Sequence, residues 1–301
     1  MGYIFELLVA LMFSFGGTCV QLIRPFFSSS MITFLRFSVG VAWLLLLKAV
    51  RRQRMRKDFL SNASLHWPFL LLGAVSKWFA YLLENAALSI GVSYGNILTQ
   101  PAQMVILTLL GAFLLREMLT KKQVIGVVLC VLGILLISWN GLSLQEMMQG
   151  SLLLSLMYVL SGMCAGVFIF AQKKAAPYFD ILDSNLCMFT LSALFSLPVA
   201  FFSGGFLPVA PPDVKCILAI CYFGFVTGIG FYLNALAMTM VPMHMVAILQ
   251  STMVFFALLW GVLFFHESVS IWIMMGTVMF VLGIILGRNQ KAQQKAAPSR
   301  A

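Results

Sequence analysis

Three charged residues lie four or more residues inside long apolar stretches of this sequence: Arg36, Lys77 and Glu84. A charge at mid-bilayer costs about 2.5 to 3.5 kcal/mol on insertion scales, so each needs an opposite charge, backbone carbonyls or a wet cavity. Their chemistry is ligand capture. Lys77 and Arg36 suit a carboxylate or phosphate, and Glu84 suits an ammonium group. Trp78, Tyr81, Tyr158, Phe231 and Tyr232 can supply aromatic walls and cation–π faces, although aromatics at helical spacing also serve as bundle packing. Together these groups suit a zwitterion such as an amino acid. Lys77, Tyr81, Glu84 and Leu88 share one helical stripe, with Trp78 and Asn85 beside it.

Two readings stand for each charge. Arg36 and Glu84 sit at similar depth and can clamp two helices as an ion pair, or Arg36 can meet substrate. Lys77, at the middle of its apolar stretch and about 10 Å along the axis from Glu84, is too deep to reach an interface. It either bonds backbone carbonyls or projects into a cavity, and the cavity reading is favoured.

Other chemistry has little footing. The sequence has no Walker motif and no H-E-x-x-H, no nucleophile elbow is expected, and His266-Glu267 lacks a second histidine. The six cysteines, Cys19, Cys130, Cys164, Cys187, Cys216 and Cys221, lie in or beside apolar runs without C-x-x-C spacing and read as reduced packing residues. No catalytic residue, metal site or cofactor is expected, and the chain is not expected to be an enzyme.

The elements that must position these residues follow from composition. Of 301 residues, 61% are hydrophobic and 9% charged, with mean hydropathy +1.00, too few polar side chains to cover a water-soluble domain. Ten stretches can each cross the hydrocarbon: Tyr3 to Ile23, Met31 to Val50, Trp67 to Leu88, Ser93 to Leu115, Gln123 to Asn140, Gly150 to Gln172, Ile181 to Ser203, Asp213 to Thr239, Met243 to Phe265 and Ile271 to Gly287. The first carries Glu6 in place of a basic leader and reads as a retained helix. The tail 289–301 reads as disordered.

Counting basic residues on alternate sides sets the direction. One side takes Lys48, Arg51, Arg52, Arg54, Arg56, Lys57, Arg116, Lys121, Lys122, Lys173, Lys174, Arg288, Lys291, Lys295 and Arg300; the other takes Arg24 and Lys215. Both termini are therefore expected to be cytoplasmic. The net charge of +10 belongs to topology anchors beside lipid headgroups and not to a nucleic-acid surface.

An offset of 150 residues lays the fourth and fifth stretches on the ninth and tenth: Gln100 on Gln250, Gly111 on Gly261, Glu117 on Glu267, Gly126 on Gly276, and Val131-Leu132-Gly133-Ile134 on Val281-Leu282-Gly283-Ile284. The chain thus divides into two five-helix units, 1–140 and 150–288. Because five is odd, the second unit enters the membrane inverted, the arrangement of many secondary transporters with a mid-bilayer site between halves. The offset also carries Lys77, Tyr81, Glu84 and Leu88 onto Thr227, Phe231, Asn234 and Met238. Gln100 and Gln250 form a symmetric pair, for ligand or for interhelical hydrogen bonds, with Asn96 and Gln103 on the face of Gln100. Glu117 and Glu267 are expected to cap the helices that follow them.

The run Gln100-Pro101, Gly111, Arg116-Glu117, Gly126, Gly133 and its counterpart Gln250, Gly261, His266-Glu267, Gly276, Gly283 resemble the EamA-type signature of the drug/metabolite transporter superfamily. Arg36 matches a family position, whereas Phe13 stands where members often carry Trp. The resemblance implies an all-α membrane protein of ten helices around a central cavity. The expected function is a secondary carrier, an exporter of an amino acid or related zwitterion, working by alternating access in the bacterial inner membrane. Either Glu84 or Lys77 can carry a coupling proton. A flippase or exporter of lipid-linked, amine or drug-type substrates is the alternative, and a membrane-embedded enzyme a distant one. The expected ligand contacts are Lys77, Trp78, Tyr81, Glu84, Asn85, Gln100, Tyr158, Thr227, Phe231, Asn234 and Gln250, with Arg36 as ion pair or contact.

Overall fold

The computed structural model describes residues 2–53, 59–114, 121–142, 152–203, 207–240 and 243–286, and every regular element among them is helical. In chain order these are α1 (Gly2–Ser14), α2 (Gly16–Ile23), α3 (Ser29–Val50), α4 (Phe59–Ile90), α5 (Thr99–Leu114), α6 (Lys121–Trp139), α7 (Leu152–Ala175), α8 (Ile181–Phe202), α9 (Val214–Phe225), α10 (Phe231–Met240), α11 (Met243–Phe265) and α12 (Ile271–Leu286). The tail 289–301, Glu117 and the basic residues Arg54, Arg56, Lys57 and Arg116 lie outside the described residues.

Several helices start where a short polar side chain can take an orphan amide. Ser28 accepts from the Met31 N–H ahead of α3, Asp180 from the Leu182 N–H ahead of α8, and Asp213 from the Cys216 N–H ahead of α9. The stretch expected to begin at Trp67 starts at Phe59 instead, because α4 continues through a kink at His66 (φ −115°, ψ 16°), two residues before Pro68. The first apolar stretch is two helices broken at Phe15, and the stretch from Asp213 is interrupted by a π turn at Val226–Gly230. The stretch expected from Ser93 becomes helical only at Gly95–Leu98, a 3-10 turn leading into α5.

Five helical stretches among the described residues are long and apolar enough to cross a membrane: Ile4–Ile23, Ser29–Val50, Leu152–Ala175, Ile181–Phe202 and Val214–Ala237. Shorter apolar helices run Val124–Trp139, Thr252–Phe265 and Ile271–Leu286.

The packing is symmetric under exchange of the two halves. Helix α5 packs on α7 as α11 packs on α1, and α4 packs on α8 as α9 packs on α3. The self-paired contacts are α3 with α8 and α6 with α12. Both pairs run antiparallel. In the second, a Cβ added at Gly133 would stand 2.8 Å from the Gly276 carbonyl oxygen and one at Gly283 2.7 Å from that of Gly126, so only glycine permits this approach. Equivalent helices that lie antiparallel make the two halves upside down with respect to each other.

Two apolar clusters make up the buried core. One joins Cys19, Ile32, Leu88, Tyr94 and Phe223; the other joins Phe37, Leu44, Phe59, Phe179 and Phe189. Helices α3 and α4 pass from one to the other at Arg36 and Glu84, and there the interior turns polar.

Candidate functional site

Between the clusters lies a cavity of about 80 Å³, room for several waters or a small solute group. Its wall includes Phe13 from α1, Arg36 from α3, Lys77, Tyr81 and Glu84 from α4, Asn96 from the 3-10 turn before α5, and Thr99, Gln100 and Gln103 from the start of α5. The second half contributes Phe168 from α7, Phe231 and Asn234 from α10, and Met253 from α11. The site is therefore shared by both halves.

Arg36 is held on three sides. Its Nε donates to Thr227 Oγ1 at 2.9 Å, and its guanidinium lies 3.2 Å from the centre of the Tyr81 ring and 4.0 Å from that of Phe223. Thr227 in turn donates to the Phe223 carbonyl at 2.9 Å. The Glu84 carboxylate stands 3.9 Å from Arg36 Nη1, beyond hydrogen-bond length, and that nitrogen is buried without a hydrogen-bond partner among the described residues. The pair is thus loose, and both groups face the cavity.

Lys77 is enclosed differently. Its ammonium lies 4.0 Å from the Tyr81 ring centre, 4.2 Å from Phe231 and 5.0 Å from Phe168. Among the described residues no carboxylate oxygen stands within 4.0 Å of it. Cation–π attraction replaces an ion pair. Opposite these charges the wall is made of amides. The side-chain oxygens of Asn96 and Asn234 are buried without partners among the described residues, and Gln100 Nε2 reaches only the Met253 sulfur, at 3.9 Å. Unspent donors and acceptors therefore face one space.

Of the sequence-derived contacts, Arg36, Lys77, Tyr81, Glu84, Gln100, Phe231 and Asn234 line this space together. Thr227 lies behind Arg36 and orients it. Asn85 donates to Thr33 Oγ1 at 2.9 Å and ties α4 to α3. Trp78 turns toward Phe195 of α8. Tyr158 packs over Gly91 and Gly95, where an added Cβ would meet its hydroxyl at 3.2 and 2.4 Å. The Gln250 side chain lies outside the described residues. Phe13, Thr99, Phe168 and Met253 join the lining without a sequence signal that separates them from ordinary packing; Asn96 and Gln103 were marked by sharing a face with Gln100.

Each end of the cavity is closed by bonds between the halves. At one end Lys48 pairs with Asp183, Arg51 donates to the Tyr232 hydroxyl, and Gln53 Nε2 donates to Asp180 at 3.3 Å. At the other, Glu267 accepts from the Ser93 N–H at 2.8 Å and from the Ser93 hydroxyl at 2.7 Å, while the Tyr94 hydroxyl donates to the Ser268 carbonyl at 2.8 Å. Glu267 therefore does not cap the helix after it. His266 at φ +53° turns the chain back so that the carboxylate meets the other half, and Ser270 caps α12 through the Ile273 N–H. The sequence Gly91-Val92-Ser93-Tyr94-Gly95 has the letters of a hydrolase nucleophile elbow but joins a helix to a 3-10 turn, and its hydroxyl is spent on Glu267. Among the described residues no group of three or more His, Cys, Asp or Glu can hold a metal ion.

The comparisons agree with this architecture. The model of the EamA-like transporter family matches residues 1–139 and again 152–287. The uncharacterized transporter YetK of Bacillus subtilis (strain 168) is 27% identical over 237 residues, covering 77% of this chain and 71% of that protein. A solved crystal structure shares the fold at TM-score 0.64 with 16% identity, covering 97% of each chain. The resemblance carried by the glycine-spaced repeat is thereby confirmed: the chain belongs to the EamA-like transporter family of the drug/metabolite transporter superfamily and is a multi-pass membrane transporter.

Proposed function

We propose that this transporter is a secondary carrier that exports a small zwitterionic metabolite, an amino acid or a close relative, by alternating access through the cavity between its halves. Ten spans cross the bacterial inner membrane with both termini in the cytoplasm, and the first and second five-span units are inverted copies. The observation that carries the substrate reading is the set of unspent groups on the wall. Arg36 and Lys77 can take a carboxylate, while Glu84 and the amide oxygens of Asn96 and Asn234 can take an ammonium group. The two closures support alternating access, since each joins one half to the other at its own end of the cavity.

Thermal-shift screening of the purified protein against amino acids, amines and nucleosides tests the class, because a ligand that binds only the folded state raises its melting temperature. Amino acids should stabilise it and simple amines should not. In proteoliposomes, Lys77→Ala and Glu84→Gln should each abolish uptake of the stabilising compound while the protein still inserts and melts cooperatively. Normal transport by both variants would remove these residues from the site. A pH gradient applied across the same vesicles separates proton-coupled transport from facilitated diffusion.

A further inference from the structure

The ammonium of Lys77 occupies a place that chemistry elsewhere reserves for a ligand. Three aromatic faces surround it at 4.0, 4.2 and 5.0 Å, one from the first half (Tyr81) and two from the second (Phe231 and Phe168). Such cages recognise free organic ammonium ions. Here the cage lies in the wall of the cavity and is filled from within, because Lys77, Tyr81, Phe168 and Phe231 all line that space.

Charge counting gives the filled cage a consequence. Among the described lining residues there are two cations, Arg36 and Lys77, and one carboxylate, Glu84, a formal balance of one positive charge. An entering monocation would raise it to two in a poorly screened interior, where like charges repel strongly. A net-neutral zwitterion leaves it at one and brings a carboxylate for the cations, and an anion lowers it. If Lys77 loses its charge, Arg36 and Glu84 cancel, and a free cation in the vacated cage restores the original balance.

We infer that Lys77 sets the charge class of the substrate: it is a tethered occupant of the aromatic cage, so the wild-type cavity excludes organic monocations and admits molecules that bring a carboxylate. The consequence for transport rests on the carrier reading above. Binding in the cage does not.

The test is equilibrium binding of tetramethylammonium to detergent-purified protein, followed by melting temperature, with sodium chloride at equal ionic strength and tert-butanol as the neutral isostere. Lys77→Ala should show a saturable rise of several degrees with tetramethylammonium alone. Wild type should show none, and Lys77→Met, whose side chain refills the space, less than half the rise. Adding Phe231→Leu to Lys77→Ala should weaken the apparent affinity by about threefold, as expected for loss of one cation–π face. An equal rise in wild type, no rise in a cooperatively melting Lys77→Ala, or an equal response to tert-butanol would each overturn the inference. Should Lys77→Ala not fold, Lys77→Ser empties the same cage and gives the same readout. If amino acids fail to stabilise wild type while Lys77→Ala binds tetramethylammonium, the zwitterion reading falls and the cage stands; the reverse result removes the cage alone.

Discussion

Helix α4 and the segment α9–π turn–α10 occupy equivalent places in the two halves, yet they carry opposite chemistry. Lys77, Tyr81 and Glu84 on the first correspond to Thr227, Phe231 and Asn234 on the second. Helix α4 continues unbroken past Lys77, whereas its counterpart widens into a π turn at Val226–Gly230, where Thr227 replaces the lysine. Trp78, which packs toward α8, is replaced by Gly228. A Cβ there would stand 2.4 Å from the Gly40 carbonyl oxygen, so α3 lies against the bare backbone of the turn. Charge is thus loaded into one half, and the other supplies what holds it: Thr227 for Arg36, and Phe231 and Phe168 for Lys77. Symmetry governs the fold and is broken in the site. One sequence repeat can be kept for packing while the two copies diverge where they line the cavity.

The division of labour can be broken most severely at Arg36. Arg36→Met leaves Glu84 without its only ion-pair partner among the described residues, in a side-chain environment 12% exposed. Removing one member of a buried pair typically costs about 3 kcal/mol or more. Transport should cease and the melting temperature fall. If the loss reflects the stranded carboxylate, Arg36→Met with Glu84→Gln should recover more than half of the stability but no transport, a coupling that a double-mutant cycle measures. Additive losses would show the two residues to act independently.

Gly228→Ala attacks the other side of the comparison. The methyl group has to displace the α3 backbone at Gly40, and overpacking of this kind costs about 1 to 3 kcal/mol. Chemical or thermal denaturation should register it without any change of charge in the site. Thr227→Val is the milder probe of the same turn. It keeps the shape and removes the oxygen that accepts from Arg36, a bond to a charged group worth about 1.5 kcal/mol. Apparent substrate affinity should drop about tenfold with the maximal transport rate otherwise intact, and Thr227→Ser should restore it. An unchanged affinity would mean that Arg36 needs no help from the second half.

Much of this was legible from residue types alone, for physical reasons that differ between regions. An ionisable side chain in an apolar stretch must find polar company, so Arg36, Lys77 and Glu84 announced the cavity, and the offset of 150 brought Phe231 and Asn234 with them. The offset did not carry Thr227 onto the wall: its hydroxyl is taken by Arg36 and by the Phe223 carbonyl, tertiary partners that register along the chain does not reveal. Asn85 sits beside the charged stripe yet is spent on Thr33, a tertiary choice that spacing does not encode. Phe168 and Met253 were invisible because an apolar residue facing a cavity has the same letter as one facing a neighbour. Glu267 was misassigned because a carboxylate at a helix start usually takes the nearest amides; the turn at His266 gave it the amide and hydroxyl of Ser93, in the connection between α4 and α5.

The smallest expected effect concerns the closures, which are as unequal as the halves they join. The end built on Lys48, Arg51, Asp180 and Asp183 is ionic, whereas the end built on Ser93, Tyr94 and Glu267 is one carboxylate and a few neutral donors. Tyr232→Phe removes the hydroxyl that accepts from Arg51 but leaves the ring, 5.0 Å from the guanidinium, in place. About 1 kcal/mol should be lost, which is about fivefold in the population open at that end. A cysteine introduced at Asn234, on the cavity wall, reports the opening through its rate of labelling by an impermeant maleimide. Tyr232→Phe should speed labelling from the ionic end and not from the other, and Glu267→Gln should do the opposite, since the amide cannot accept from Ser93 at both oxygens. If either substitution accelerates labelling from both ends, the two closures open together, and a cavity open to both sides at once does not fit a carrier.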